Sequence, residues 1–95
     1  MGSEMCIRDS LDRAELLYRN ALGIYRDINN PAGEASSLTN LGNVFFSRSD
    51  FDEAEMYYRD SLAIEIEIGN KSGEKKSLYN IELVMAKKDS KFEEE

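Results

Sequence analysis

The chain predicts an all-α fold, with four helices paired antiparallel and stacked as a short solenoid. Two observations carry that expectation. Displaced by forty residues, segment 13–50 matches segment 53–90 at fourteen of thirty-eight positions, where unrelated segments would share roughly two or three. Within each half of the repeat, apolar residues return every three or four positions, and short polar turns interrupt them. A period of this length describes stacked units, none of which can bury its apolar face alone.

Residues 1–10, Met-Gly-Ser-Glu-Met-Cys-Ile-Arg-Asp-Ser, have no counterpart in the repeat. Met5 to Ser10 resembles the translation of a transposon end used in preparing sequencing libraries, so the expectation is a bacterial or metagenomic reading frame truncated at its start. The alternative is a helix extension. In either case Ser10 is placed to cap the first helix of the repeat.

The first helix is expected over 11–29, with Ala14, Leu17, Tyr18, Ala21, Leu22, Tyr25 and Ile28 along one face and Glu15 and Arg19 paired outside. Asn29-Asn30-Pro31 stops it and opens a second helix over 32–48, since proline suits a first helical position behind an Asn cap. At Ser47 to Asp50 the periodicity lapses, and Asp50 with Glu53 reads as a capping box. The third helix, 51–69, presents Ala54, Tyr57, Tyr58, Ser61, Leu62 and Ile68, repeats the outer pair as Glu55 and Arg59, and closes at Gly69-Asn70. A fourth is expected over 72–88. Ser90 to Glu95 then resembles Ser49 to Glu53, as if another helix began before the acidic tail 93–95.

Composition narrows the function classes. Ninety-five residues make one small domain, burying only roughly 60–65% of its unfolded surface. The net charge of −7, with acids and bases interspersed until Glu93-Glu94-Glu95, opposes nucleic acid and anionic membranes as partners. The longest apolar run, Leu83 to Ala86, falls far short of the ~20 residues a spanning helix needs. One cysteine, Cys6, rules out an internal disulfide, and with no histidine the commonest general base and metal ligand is missing. No phosphate-cradling glycine loop and no metal-ligand spacing occur, and the acid pairs Asp52-Glu53 and Glu93-Glu94 read as helix starts. The expectation is a cytoplasmic protein that is not an enzyme, with no cofactor and no metal.

Leu38, Leu41-Gly42, Phe45, Phe51, Ala54, Tyr58 and Leu62 together resemble the tetratricopeptide repeat, whose unit is an antiparallel pair of helices, A and B. Small Gly42 and Ala54 let two helices approach, while the larger residues fill the seam between pairs. The forty-residue period and the tripeptide Leu41-Gly42-Asn43 resemble the long-repeat subclass found in Leu-Gly-Asn-repeat proteins and kinesin light chains. HEAT and armadillo repeats have a similar length, but fit the short Ser-Asp turn poorly. The resemblance covers about 11–92 and implies a right-handed solenoid with helices in the order B-A-B-A. Downstream the pattern departs: Glu82 stands at the Gly42 position, Leu83 at Asn43, and Ser61 where alanine is frequent. Glu82 would block close approach of a following B helix.

The resemblance also implies a function, which is to bind a peptide or helix of a partner protein on a concave face lined by the A helices. The contacts map onto Ser36, Thr39, Asn40, Asn43 and Phe46, then Lys76, Tyr79, Asn80 and Lys87. Asparagine suits this work because its amide both donates and accepts, matching an extended backbone. Two roles stay open for Asn40 and Asn80, ligand binding and bonding to neighbouring helix backbone. Tyr18, Tyr57, Tyr58 and Phe45 are core residues by position. With an unpaired B helix at one end and an unpaired A helix at the other, self-association is the second expectation: a homo-oligomer through the terminal helices, head-to-tail or by two-fold exchange.

Overall fold

The computed structural model describes the backbone of residues 3–94 and the side chains of residues 10–90. Four α-helices succeed one another: α1 (Ser3–Asp27), α2 (Pro31–Ser47), α3 (Phe51–Glu67) and α4 (Lys71–Glu94). Each packs on the next, so α2 and α3 each have neighbours on two sides while α1 and α4 have one apiece. The stack measures 41 × 31 × 17 Å.

One turn is used three times. Asn29, Ser49 and Gly69 take left-handed φ values of 57°, 65° and 74°. The adjoining amides of Asn30, Asp50 and Asn70 reach back five residues to the carbonyls of Tyr25, Phe45 and Glu65 at 2.8, 2.8 and 2.9 Å. That is the Schellman closure of a helix C-terminus, and its last residue is at once the N-cap of the next helix. Asn30 and Asn70 complete the cap by accepting from the amides of Gly33 and Gly73, both at 3.1 Å. Asp50 does not: its side chain makes no cap hydrogen bond, so the expected capping box is absent. Its reciprocal half is blocked because the Asp50 amide is already committed to Phe45.

The core is a single seam. Leu38, Leu41 and Phe45 of α2 meet Ala54, Tyr57 and Tyr58 of α3, with Leu22 of α1 and Ile81 and Val84 of α4 closing the ends. Tyr57 stacks on Phe45 with ring centroids 5.5 Å apart. Gly42 has a steric role, since a Cβ there would lie 2.5 Å from the Tyr58 ring. The same device joins successive units, where Gly33 faces the Tyr25 ring and Gly73 faces the Glu65 carboxylate, each too close to admit a Cβ.

Several expectations are corrected. Helix α1 begins at Ser3 and not at 11, placing Ser10 inside a helix and not at its cap. Neither glycine nor proline interrupts residues 3–22, so nothing stops the helix there. Helix α4 runs to Glu94, so no new helix starts near Ser90, and Glu93 and Glu94 lie in a last turn and not a first one. Where α2 turns at Ser49, the counterpart Asp89 stays helical, for no further helix packs on α4 among the described residues. Leu17 (66% exposed) and Ile28 (61%) lie outside the core, as does Ile68. For Leu17 the reason is coverage, since Tyr57 holds its place one repeat later and is buried because α3 is flanked on both sides, whereas Ile28 and Ile68 share a position just past the ends of α1 and α3.

Candidate functional site

Helices α2 and α4 stand on either side of a groove of about 380 Å³, with the C-terminal end of α3 and the α3–α4 turn as its floor. Ser36, Thr39, Asn40 and Asn43 line it from α2 and Lys76 from α4. These positions share a face because 36, 39, 40 and 43 obey helical spacing on the side opposite Leu38, Leu41 and Phe45. Five of the residues expected to contact a partner are thus brought together. Phe46 is not among them: it packs edge-on against Phe51, centroids 5.4 Å apart. Exposed Tyr79 and half-buried Asn80 also lie away from the groove wall, and Lys87 is exposed.

The polar groups in the groove are unequally free. Ser61, wholly buried, donates to the Ala35 carbonyl at 3.0 Å. A hydroxyl has one proton, so in the 2.7 Å contact between Thr39 and Ser61 it is Thr39 that donates. Thr39 is therefore spent on holding α3 against α2, and Ser61, at a position where alanine is frequent, has a structural use. Asn43 accepts from the Tyr58 hydroxyl at 2.6 Å, leaving its NH2 group for the groove. Burial pushes the Tyr58 hydroxyl pKa up, so it remains a donor. The Asn40 side chain makes no hydrogen bond to another described residue and also lines a smaller groove of about 190 Å³ between α1 and α2. Of its two open roles, no bond to neighbouring helix backbone is made.

Four residues of the groove were not anticipated: Glu65, Asn70, Ser72 and Gly73. A signal for Glu65 was present, an acid at the position where the first repeat carries Tyr25 on its apolar face. Also unanticipated is a repeated ionic clamp behind the groove. Arg48 reaches Asp12 at 2.6 Å and Glu15 at 2.7 Å. Forty residues on, Lys88 reaches Asp52 and Glu55, both at 2.9 Å. Arg48 and then Arg19 hold the Glu15 carboxyl below its ordinary range, and Lys88 and then Arg59 do the same for Glu55.

Among the described residues, no group of three acidic or cysteine side chains could hold a metal ion, and no helix is long and apolar enough to cross a membrane. The arrangement offers hydrogen-bond donors and acceptors along a groove, which is equipment for binding. A search with family profiles matches the tetratricopeptide repeat over residues 5–66, about two thirds of the chain. No curated protein shows significant similarity to it. Tetratricopeptide repeats generally act as non-catalytic scaffolds for protein–protein interaction. With helix pairs joined by one recurring turn, glycines at the close approaches and this match over most of its length, the chain belongs to the tetratricopeptide repeat family.

Proposed function

We propose that this chain is a cytoplasmic, non-catalytic interaction module that holds an extended peptide or a helix of a partner protein in the groove between α2 and α4. One observation carries the reading: Asn40 and Asn43 line a polar groove, and among the described residues neither the Asn40 side chain nor the Asn43 NH2 group has a hydrogen-bond partner. An amide without an internal partner can both donate to and accept from a peptide backbone. Selection from a displayed peptide library, then titration of a recovered peptide, tests it. Asn40→Ala and Asn43→Ala each weaken binding about three- to tenfold, the worth of one hydrogen bond. Unchanged affinity in both variants overturns the groove as the site.

The second reading is self-assembly, which the exposed apolar side chains at the two ends favour. Leu17 and Ile24 on α1, Ile28 just past its end, and Leu78 and Met85 on α4 are all 45% exposed or more. In a head-to-tail contact repeating the α2–α3 packing, Tyr18 of one copy meets Glu82 of the next where Tyr58 meets Gly42 within the chain. That collision leaves a two-fold exchange as the better geometry. Light scattering across a concentration series separates the readings, since a strictly monomeric species removes the second.

A further inference from the structure

Glu65 is the one charged side chain among the buried described residues, at 7% exposure. Its Oε1 accepts from the Asn70 side-chain Nδ2 at 2.9 Å, and among the described residues no lysine or arginine pairs with it. The more exposed acids Glu15, Glu34, Glu55 and Glu74 are all paired with a base. A carboxylate withdrawn from water without a counter-charge is costly, so a reason for it is needed.

The first repeat is an internal control for the structural reasons. Packing does not require an acid, because Tyr25 fills the same place and meets Gly33 as Glu65 meets Gly73. Capping does not require one either, since Asn30 caps its helix at the same 3.1 Å as Asn70 without any glutamate beside it. What differs is the surroundings: Glu65 is part of the floor of the groove between α2 and α4, with Lys76 on the α4 side but not paired to it. The groove's volume of about 380 Å³ accommodates a long side chain.

We infer that Glu65 forms a subsite for a cationic side chain, lysine or arginine, of the peptide held in this groove. The inference rests on the groove being the peptide site. The entering ammonium or guanidinium supplies the missing counter-charge and bonds to the carboxylate capacity that Asn70 leaves open. Ser36 on the α2 side and Ser72 on the α4 side offer further acceptors in the groove.

The test uses the full chain and a library of N-acetylated ten-residue peptides in which one position is Lys, Arg, Gln, norleucine or Glu and the others are varied. Acetylation removes the terminal amine, so a preference for charge reports a side chain. The wild type is expected to enrich Lys or Arg over Gln at least about tenfold, as for a charge-assisted hydrogen bond. Glu65→Gln keeps the shape and the Asn70 bond, and Glu65→Tyr copies the first repeat. Both are expected to stay folded by circular dichroism and to lose the preference, while Lys75→Gln, at an exposed position outside the groove lining, keeps it. Peptides enriched without a cation preference, or with the same preference in Glu65→Gln, overturn the subsite and leave the groove reading standing. Enrichment only in an unacetylated library assigns the carboxylate to a peptide amino terminus and overturns the side-chain subsite. If no peptide is recovered by any form, the groove reading falls and the subsite with it.

Discussion

Replacing Gly42 by alanine should destabilise the fold, although the same change at Gly23 should stabilise it. Both glycines lie inside helices, where alanine is intrinsically better by about 1 kcal/mol. At Gly23 a Cβ meets nothing within 4 Å, so that gain is realised in full. At Gly42 the Cβ would lie 2.5, 2.7 and 3.1 Å from three atoms of the Tyr58 ring. Restoring ordinary contact requires a displacement of roughly 1 Å. Tyr58 is 3% exposed and tied through its hydroxyl to Asn43 at 2.6 Å, on the residue next to Gly42. The ring cannot yield without parting α2 from α3 or losing that bond. Overpacking costs about 1–3 kcal/mol and the bond about 1 more, against about 1 returned by propensity, for a net loss of about 1–3 kcal/mol. In a domain of this size that lowers Tm by about 4–8 °C per kcal/mol, while Gly23→Ala raises it by about 4–8 °C. Thermal unfolding monitored by circular dichroism reads both. A Gly42→Ala protein that melts higher than wild type would refute the close-approach argument.

The caps and clamps give three further outcomes. The Glu15 and Glu55 pKa values are lowered in the folded state from 4.5, so their contribution is present above that value and is lost as pH falls through the lower folded values. Urea midpoints should therefore drop as pH is taken from 5 towards 3, and less steeply in the Glu15→Gln, Glu55→Gln double variant; parallel profiles would contradict the clamp. Asn30→Ala should cost about 1 kcal/mol, the usual loss of an N-cap. Asn70→Ala should cost about 1–3 kcal/mol more in the same urea measurement, because Glu65 is left buried with no donor, and equal losses would contradict that pairing. Ser61→Ala should cost about 1–2 kcal/mol by releasing the Ala35 carbonyl and leaving Thr39 without its acceptor, and a neutral result would show that the bond between α2 and α3 is dispensable.

The period, the order of helices and the turns were legible in the sequence because each is a local property: apolar spacing, a proline behind an asparagine, a glycine where the backbone turns left-handed. The interior seam was legible for the same reason, since Leu38, Leu41, Phe45, Tyr57 and Tyr58 recur at helical spacing. Burial at the ends was not. Leu17 has the spacing of a core residue, but spacing records only a capacity for burial, and the neighbour that supplies it is a tertiary fact. Five of the nine anticipated contact residues line the groove, because one helix face carries four of them. Glu65 escaped notice because it sits on the packing face of α3, and its access to the groove depends on the thinness of Gly73 opposite. The clamps of Arg48 and Lys88 escaped because their partners lie a helix away, although both ends recur at the forty-residue period.

The most direct test of peptide binding in the α2–α4 groove is a titration of the isotope-labelled chain with a library-selected peptide, read by amide nuclear magnetic resonance. The largest shifts are expected on Ser36, Asn40, Asn43, Gly73 and Lys76, together with the side-chain amides of Asn40, Asn43 and Asn70. Shifts confined to the Leu17–Ile24 face of α1 or the Leu78–Met85 face of α4, or shifts that track protein concentration and not peptide, would contradict it.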